Sequence, residues 1–488
     1  MRTPILASVV VLAAAALAGS AGSRSADPPT LPLVTAVVDA ATFKSVDSAA
    51  AFANARRAGA TVVRLVLDWS VVAPKGAAPP AGFSPARPDD PHYDWASFDR
   101  QVREAVSLGL APIVDIIEAP AWAQGTPAHR RAQDGPYRPK HGALGAFARA
   151  AALRYSGAFG DLPRVRYWMV WNEPNFSWYL SPQTVDGRLV SPEWYRAMVN
   201  AVSASVHAVR RDNLVVAGGL APYGTTNATL DATSPLLFMR RMLCMSDGPK
   251  PKRTCSKRAA FDVWSHHPYT SGGPTRAAGR PDDVSLGDLD EMAAVLRAAE
   301  RAGTIRSSGR VRFWVTEFSW DTSPPDPKGV PMELHARWVA EALYRMWRDG
   351  VSLVTWFLVR DEPFPDVSTQ SGLFFRGASG PASDTAKPST QAFRFPFVAL
   401  RQTRRRVMYW GRTPTSAAAN VIVERSVSGG WRRLARVRAG SSGIFTGSFA
   451  STRRTGTVRA RVVAGGEASV PFSLRVPPDR DVCPFGSC

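Results

Sequence analysis

The sequence predicts an α/β protein, a closed (β/α)8 barrel of the TIM-barrel class followed by a small C-terminal antiparallel β-sandwich. Three observations carry that expectation. From Leu33 to about Leu400, short β-branched runs alternate with amphipathic helical stretches. Most of these runs are apolar along their whole length, as parallel strands buried on both faces must be. After Leu400 the runs become short and alternating and are separated by glycine-rich turns, the pattern of antiparallel strands.

The strand-like runs are Val34 to Val38, Thr61 to Leu67, Ala111 to Ile117, Val165 to Trp171, Asn213 to Ala217, Phe261 to Ser265, Val311 to Glu317 and Val351 to Phe357. Eight such units, each followed by a helix, close a barrel. Helix ends are readable between them. Ser191-Pro192-Glu193 supplies a cap, a first-turn proline and an early acid ahead of Trp194 to Val209. Leu286 to Ala302 stops at Gly303, and Met332 to Arg348 stops near Gly350. A doubly wound open sheet is the competing architecture, but no glycine-rich phosphate loop follows the first strand and no Gly-x-Ser-x-Gly elbow occurs. The later runs are Val421 to Ser426, Trp431 to Val437, Ile444 to Phe449, Thr457 to Val463 and Ser469 to Val476. The 488 residues thus divide into a leader at 1–26, a barrel at 27–402 and a sandwich at 403–488, more chain than one ordinary domain needs.

The leader has Arg2, an apolar run from Ile5 to Ala18, and a small-x-small cleavage site at Ala16-Leu17-Ala18. That is the layout of a secretory signal peptide, and the run is short for a membrane span. An uncleaved anchor is the alternative. The expectation is an exported, extracellular protein. Four cysteines agree with it. Cys244 and Cys255 are close in sequence, as are Cys483 and Cys488, and proximity suggests two local disulfides. A zinc site is disfavoured because no histidine sits near either pair.

The net charge is +20 and unevenly placed. From Arg401 to Cys488 there are sixteen arginines, no lysine and four acids. This balance suits attachment to an anionic cell-surface polymer, or equally an arginine-rich set of solvated strands. No nucleic-acid-binding motif accompanies the charge. A monomer without a cofactor is expected.

Two positions carry chemistry. The fourth strand breaks into Asn172-Glu173-Pro174-Asn175, and Pro174 ends the pairing and presents Glu173 at the barrel mouth. The seventh strand ends at Glu317. Catalytic groups of this barrel class stand at the C-terminal ends of strands. A facing carboxylate pair is what cleavage of a glycosidic bond needs, one group to protonate the leaving oxygen and one to attack or to activate water.

Trp171-Asn172-Glu173-Pro174-Asn175 resembles the acid/base motif of the clan A retaining glycoside hydrolases, nearest to glycoside hydrolase family 39 and its cellulase-like relatives. The resemblance extends to Arg64 in strand two, Trp122 after strand three, His267-Pro268-Tyr269 after strand six, Glu317 after strand seven and Trp356 in strand eight. It spans about residues 33 to 400 and leaves out the C-terminal domain. It implies Glu173 as acid/base, Glu317 as nucleophile, and Arg64, Trp122, Asn172, His267, Tyr269 and Trp356 as substrate-binding or orienting residues. Asn172 would meet the sugar 2-hydroxyl, and Trp356 would floor the subsite of the attacked sugar.

Arg64 inside an apolar strand needs a partner, either Glu317 or Asp68. His266-His267 invites a metal reading, but adjacent strand residues face opposite ways, so no metal is assigned and His266 is placed outward. Trp178, Tyr179, Tyr223 and Trp320 are further stacking or packing candidates. The expected function is an exported retaining glycosidase acting on a poly- or oligosaccharide, with aromatics in several loops weighing toward internal cleavage. A non-catalytic polysaccharide-binding protein and a transglycosylase are the alternatives.

Overall fold

The computed structural model describes residues 31–127, 132–227, 230–367 and 369–482. The expected leader and the Cys483/Cys488 pair lie outside the described residues. The barrel strands are β1 (Val34–Val38), β2 (Val62–Asp68), β3 (Ala111–Ile117), β4 (Tyr167–Val170), β5 (Leu214–Leu220), β6 (Val263–His266), β7 (Arg312–Val315) and β8 (Val351–Phe357). They close in the order β1-β8-β7-β6-β5-β4-β3-β2, and every neighbouring pair is parallel.

The barrel interior is filled, and its filling explains where the site sits. Ala36, Val62, Ile113, Met169, Val216, Val263, Trp314 and Leu353 form one apolar cluster with one residue from each strand. This layer plugs the lower barrel. Along β2 and β3, two residues further on, stand Arg64 and Asp115, so a polar layer lies directly over an apolar one. The opposite strand faces belong to the large core shared with the helices. Two glycines end helices as expected. Gly303 and Gly350 have φ of +65° and +97°, a left-handed conformation that closes a helix without a side-chain clash. The helix at Ser191–Val209 departs slightly from its reading, because Ser191 is already helical and makes no side-chain cap.

The C-terminal residues build two antiparallel sheets. One holds β9 (Phe397–Thr403), β10 (Arg406–Arg412) and β13 (Ile444–Ala450); the other holds β11 (Asn420–Val427), β12 (Gly430–Arg438), β14 (Thr457–Val462) and β15 (Phe472–Ser473). Alternation is clearest in β14, where Val458, Ala460 and Val462 are buried and the intervening arginines reach solvent. β9 pairs with β10, so the sheets begin at Phe397 and the expected boundary at 402/403 falls inside a strand. β9 and β10 escape the sequence reading because Arg401 to Arg406 breaks the apolar pattern; Arg404 and Arg405 form their turn. Ser469 to Val476 contracts to the two residues of β15.

Cys244 and Cys255 form a disulfide. No helix among the described residues is long and apolar enough to cross a membrane.

Candidate active site

Glu173 owes its position to backbone geometry that few residues accept. Trp171 and Glu173 have φ of +71° and +40°, left-handed values that cost a non-glycine residue on the order of 1 kcal/mol or more. Surrounding bonds hold the segment there. The Glu173 N–H donates to the Gly219 carbonyl, Trp171 N–H to Ile116, and the Trp171 indole to the Tyr179 carbonyl. Gly218 and Gly219 are also left-handed. A Cβ on Gly218 would lie 2.2 Å from the Ser265 carbonyl, and one on Gly219 2.5 Å from the Met169 methyl. These two glycines let β5 come close enough to accept the Glu173 amide. Asn175 ties the loops together, donating to the Ala221 and Thr233 carbonyls and accepting from the Ala221 amide.

Six of the eight sequence-derived site residues meet in one hydrogen-bonded set. Glu317 accepts Arg64 Nη1 at 2.8 Å on Oε2 and the Tyr269 hydroxyl at 2.9 Å on Oε1. Arg64 Nη2 also donates to Asn172 Oδ1 at 2.6 Å. His267 places Nδ1 3.0 Å from Glu173 Oε1 and Nε2 3.1 Å from the Thr316 hydroxyl. One carboxylate oxygen of Glu173, one of Glu317 and one nitrogen of His267 all lie within 4.8 Å of one another.

The other two stand apart from that set. Trp356 is fully buried, its indole donating to the Ser371 carbonyl and its ring against Phe318 and Trp320. Trp122 donates to the Pro74 carbonyl and packs edge-on against Trp69 and Phe83. Among the further aromatics, Trp320 is buried with its indole on the Gly272 carbonyl, and Trp178 is 40% exposed. The Tyr179 hydroxyl is bonded to the Asn172 side chain.

Of the two expected partners of Arg64, the structure pairs it with Glu317 and not with Asp68. Asp68 faces elsewhere, accepting from the Ser70 hydroxyl and the Val71 amide. Glu317 is a partner but not the sole one, because buried Asp115 accepts Arg64 Nη2 at 2.6 Å and Nε at 3.1 Å. Asp115 was missed inside the apolar run Ala111 to Ile117, although a lone acid there is the same anomaly as Arg64. His266 turns away from the site as expected and contacts the Val284 carbonyl with Nε2.

The two carboxylates differ electrically. Burial raises the Glu173 pKa to about 8, with Arg64 opposing weakly, so at pH 7 it is mostly protonated. Glu317 accepts from a guanidinium on one oxygen and from a phenol on the other. Burial works against the Arg64 charge, but Asp115 and Glu317 outweigh it and hold its pKa above the ordinary value. Burial lowers His267 to about 3, so the ring is neutral, with one nitrogen a donor and the other an acceptor. Burial, followed by the Glu317 charge, raises Tyr269 well above an ordinary phenol, and it stays a donor.

Glu173, His267 and Glu317 could in principle hold a cation. The donor set fits one poorly, because the Arg64 guanidinium already occupies one Glu317 oxygen and His267 is engaged at both nitrogens.

No family model and no curated protein matches the chain. Among solved structures, it is similar to a family 39 glycoside hydrolase from the gut symbiont Bacteroides cellulosilyticus WH2, with 17% identity over 86% of this chain and 81% of that one, TM-score 0.51. A conserved exported protein from Bacteroides fragilis matches at 11% identity over 87% of this chain and 98% of that one, TM-score 0.50. The GH39 enzyme from Xanthomonas axonopodis pv. citri matches at 13% identity over 89% and 97%, TM-score 0.47. The fold is therefore a (β/α)8 barrel resembling that of glycoside hydrolase family 39. At such identities the likeness establishes the fold alone.

Proposed function

We propose that the protein is an exported retaining glycoside hydrolase that cleaves an O-glycosidic bond of a poly- or oligosaccharide by double displacement. The observation that carries this is the approach of Glu173 and Glu317 to within 4.8 Å. Retaining enzymes keep their carboxyl groups about 5–5.5 Å apart, whereas inverting enzymes leave roughly 6.5–9.5 Å for a water.

In the first step a Glu317 oxygen attacks the anomeric carbon. The bond from that carbon to the leaving oxygen breaks, and the leaving oxygen takes the Glu173 proton. A glycosyl ester of Glu317 and an ionised Glu173 remain. In the second step Glu173 takes a proton from water as the water oxygen attacks the anomeric carbon. The ester bond breaks and both carboxyls return to their starting states. Asn172, oriented by Arg64, meets the 2-hydroxyl, and Tyr269 keeps Glu317 aligned.

The expected result on a panel of polysaccharides and aryl glycosides is release by the wild type and at least a ~10³-fold loss in Glu317→Gln. Proton NMR of the first product should show the anomer of the substrate. Equal release by both proteins removes Glu317 as nucleophile, and an inverted anomer removes double displacement.

A further inference from the structure

At the opposite end of the barrel lies a second cavity, of about 820 Å³. It opens where β5 to β8 begin, between the segments Arg211 to Leu214, Ser307 to Phe313 and Arg348 to Ser352. Glu173 and Glu317 follow the other ends of β4 and β7, so the cavity is separated from them by the barrel height, roughly 15–20 Å for strands of this length.

Its chemistry is lopsided. The lining contains six arginines and four acids, and the acids are already engaged. Asp212 pairs with Arg164 and Arg210, and Asp349 pairs with Arg348. Asp262 accepts from Ser308 and faces His207, and Glu300 accepts the Val311 amide. Among the described residues, Arg211, Arg297, Arg310 and Arg312 have no acidic partner. All four are exposed, with Arg211, Arg297 and the pair Arg310 and Arg312 on three segments around a floor that includes Leu214, Leu296 and Val311. Guanidinium forks spaced around an apolar floor suit a chain that carries separate planar anions on rings with apolar faces.

We propose that this cleft binds a carboxylate-bearing polysaccharide and holds the protein on it with the catalytic mouth facing away. The site is distinct from the glutamate pair and does not depend on that pair's activity. It also differs from the arginine-rich C-terminal sheets, which supply the control.

The test uses the full chain and polygalacturonate as probe, with binding followed by affinity electrophoresis at low and at 0.5 M salt (about a 4 Å screening length). Wild type should bind polygalacturonate, lose binding in salt, and ignore neutral dextran. Arg310→Ser/Arg312→Ser should weaken binding about fivefold or more, the effect of removing two exposed charge contacts. The control Arg433→Ser/Arg436→Ser, on exposed positions of β12, should change it less than twofold. Arg297→Gln, a single change on a helix surface, should move binding in the same direction as the cleft pair and guards against a folding defect. Equal loss in cleft and control variants would reduce the effect to net charge and overturn the site. Absence of wild-type binding, or tighter cleft-dependent binding to phosphatidylglycerol vesicles, would also overturn it.

Discussion

At Glu173, burial and a left-handed backbone act on one carboxyl, and both have measurable consequences. Its pKa is about 8 folded against 4.5 in an open chain, so the folded state holds the proton more tightly. The linked stability is complete below pH 4.5 and is lost as pH rises through 8. Glu173→Gln cannot ionise, so its stability relative to wild type should grow across that window and level off above it. The gain should be roughly 4–5 kcal/mol by pH 9, at about 1.4 kcal/mol for each unit separating the two pKa values. Thermal melts from pH 4 to pH 9 check this, and a constant difference between the proteins contradicts the raised pKa. The same ionisation sets an activity limit. kcat/KM of the wild type should fall above about pH 8 as the acid is lost. The variant should lose roughly 10²–10⁴-fold on substrates with poor leaving groups. The sequence marks Glu173 as the expected acid, but not the pair of positive φ values that aim it. Those depend on Gly218 and Gly219, which lie just beyond the expected fifth run, Asn213 to Ala217, and have no side chain to announce a role.

Between the strands, the charged layer above the apolar plug is the feature that joins fold to site. Arg64 reaches Asp115 on β3, Asn172 after β4 and Glu317 after β7, so one side chain ties three parts of the barrel mouth together. The sequence announced Asn172 and Glu317 because each stands at or beside the end of an apolar run, and Arg64 because it is a charge inside one. Asp115 stays hidden because the apolar residues on either side of it set the average polarity of its run. The extents of β1, β3 and β8 were legible to the residue, whereas β4 and β7 stop short of their expected runs where the chain turns to present side chains, and β6 starts two residues late and ends one residue further on, at His266. If Asp115 compensates the buried Arg64 charge, Asp115→Ala should cost about 3–5 kcal/mol, the usual cost of orphaning one partner of a buried pair. Urea unfolding measures it. A loss under about 1 kcal/mol would assign Arg64's compensation to Glu317 alone, and activity rather than stability would then bear the change.

Across the whole molecule, the C-terminal sheets are fastened to the barrel by groups that would be poorly solvated or unpaired without it. Arg412 on β10 is fully buried, and among the described residues no acid pairs with it. Its Nη1 donates to the Leu33 carbonyl and the Thr35 hydroxyl, and its Nη2 to the Phe393 carbonyl. Burial lowers its pKa to about 10, so it remains charged at neutral pH, and its cost is offset by these neutral acceptors and the Arg394 carbonyl. Beside it Trp410 packs against Tyr344 and Trp347 of the helix Met332–Arg348. Further out, Arg394 pairs with Glu467 and Arg276 with Asp479 and Asp481, exposed contacts of small energy. A carbohydrate-binding module on a tether would not need a buried arginine under the first barrel strand. The expectation is therefore that the barrel and the sheets unfold together. Calorimetry of the full chain should give one transition. Ending the chain at residue 396 should leave the barrel aggregated or melting at least 10 °C lower, because it bares the Tyr344–Trp347 face and the Leu33 carbonyl together. Arg412→Met, which keeps the stem and removes the charge, separates the two contributions. It should cost less than truncation and preserve the single transition. Two resolved transitions in the full chain, with the shortened barrel melting unchanged, would make the sheets an independent module, and their arginines would then be the first place to look for what it binds.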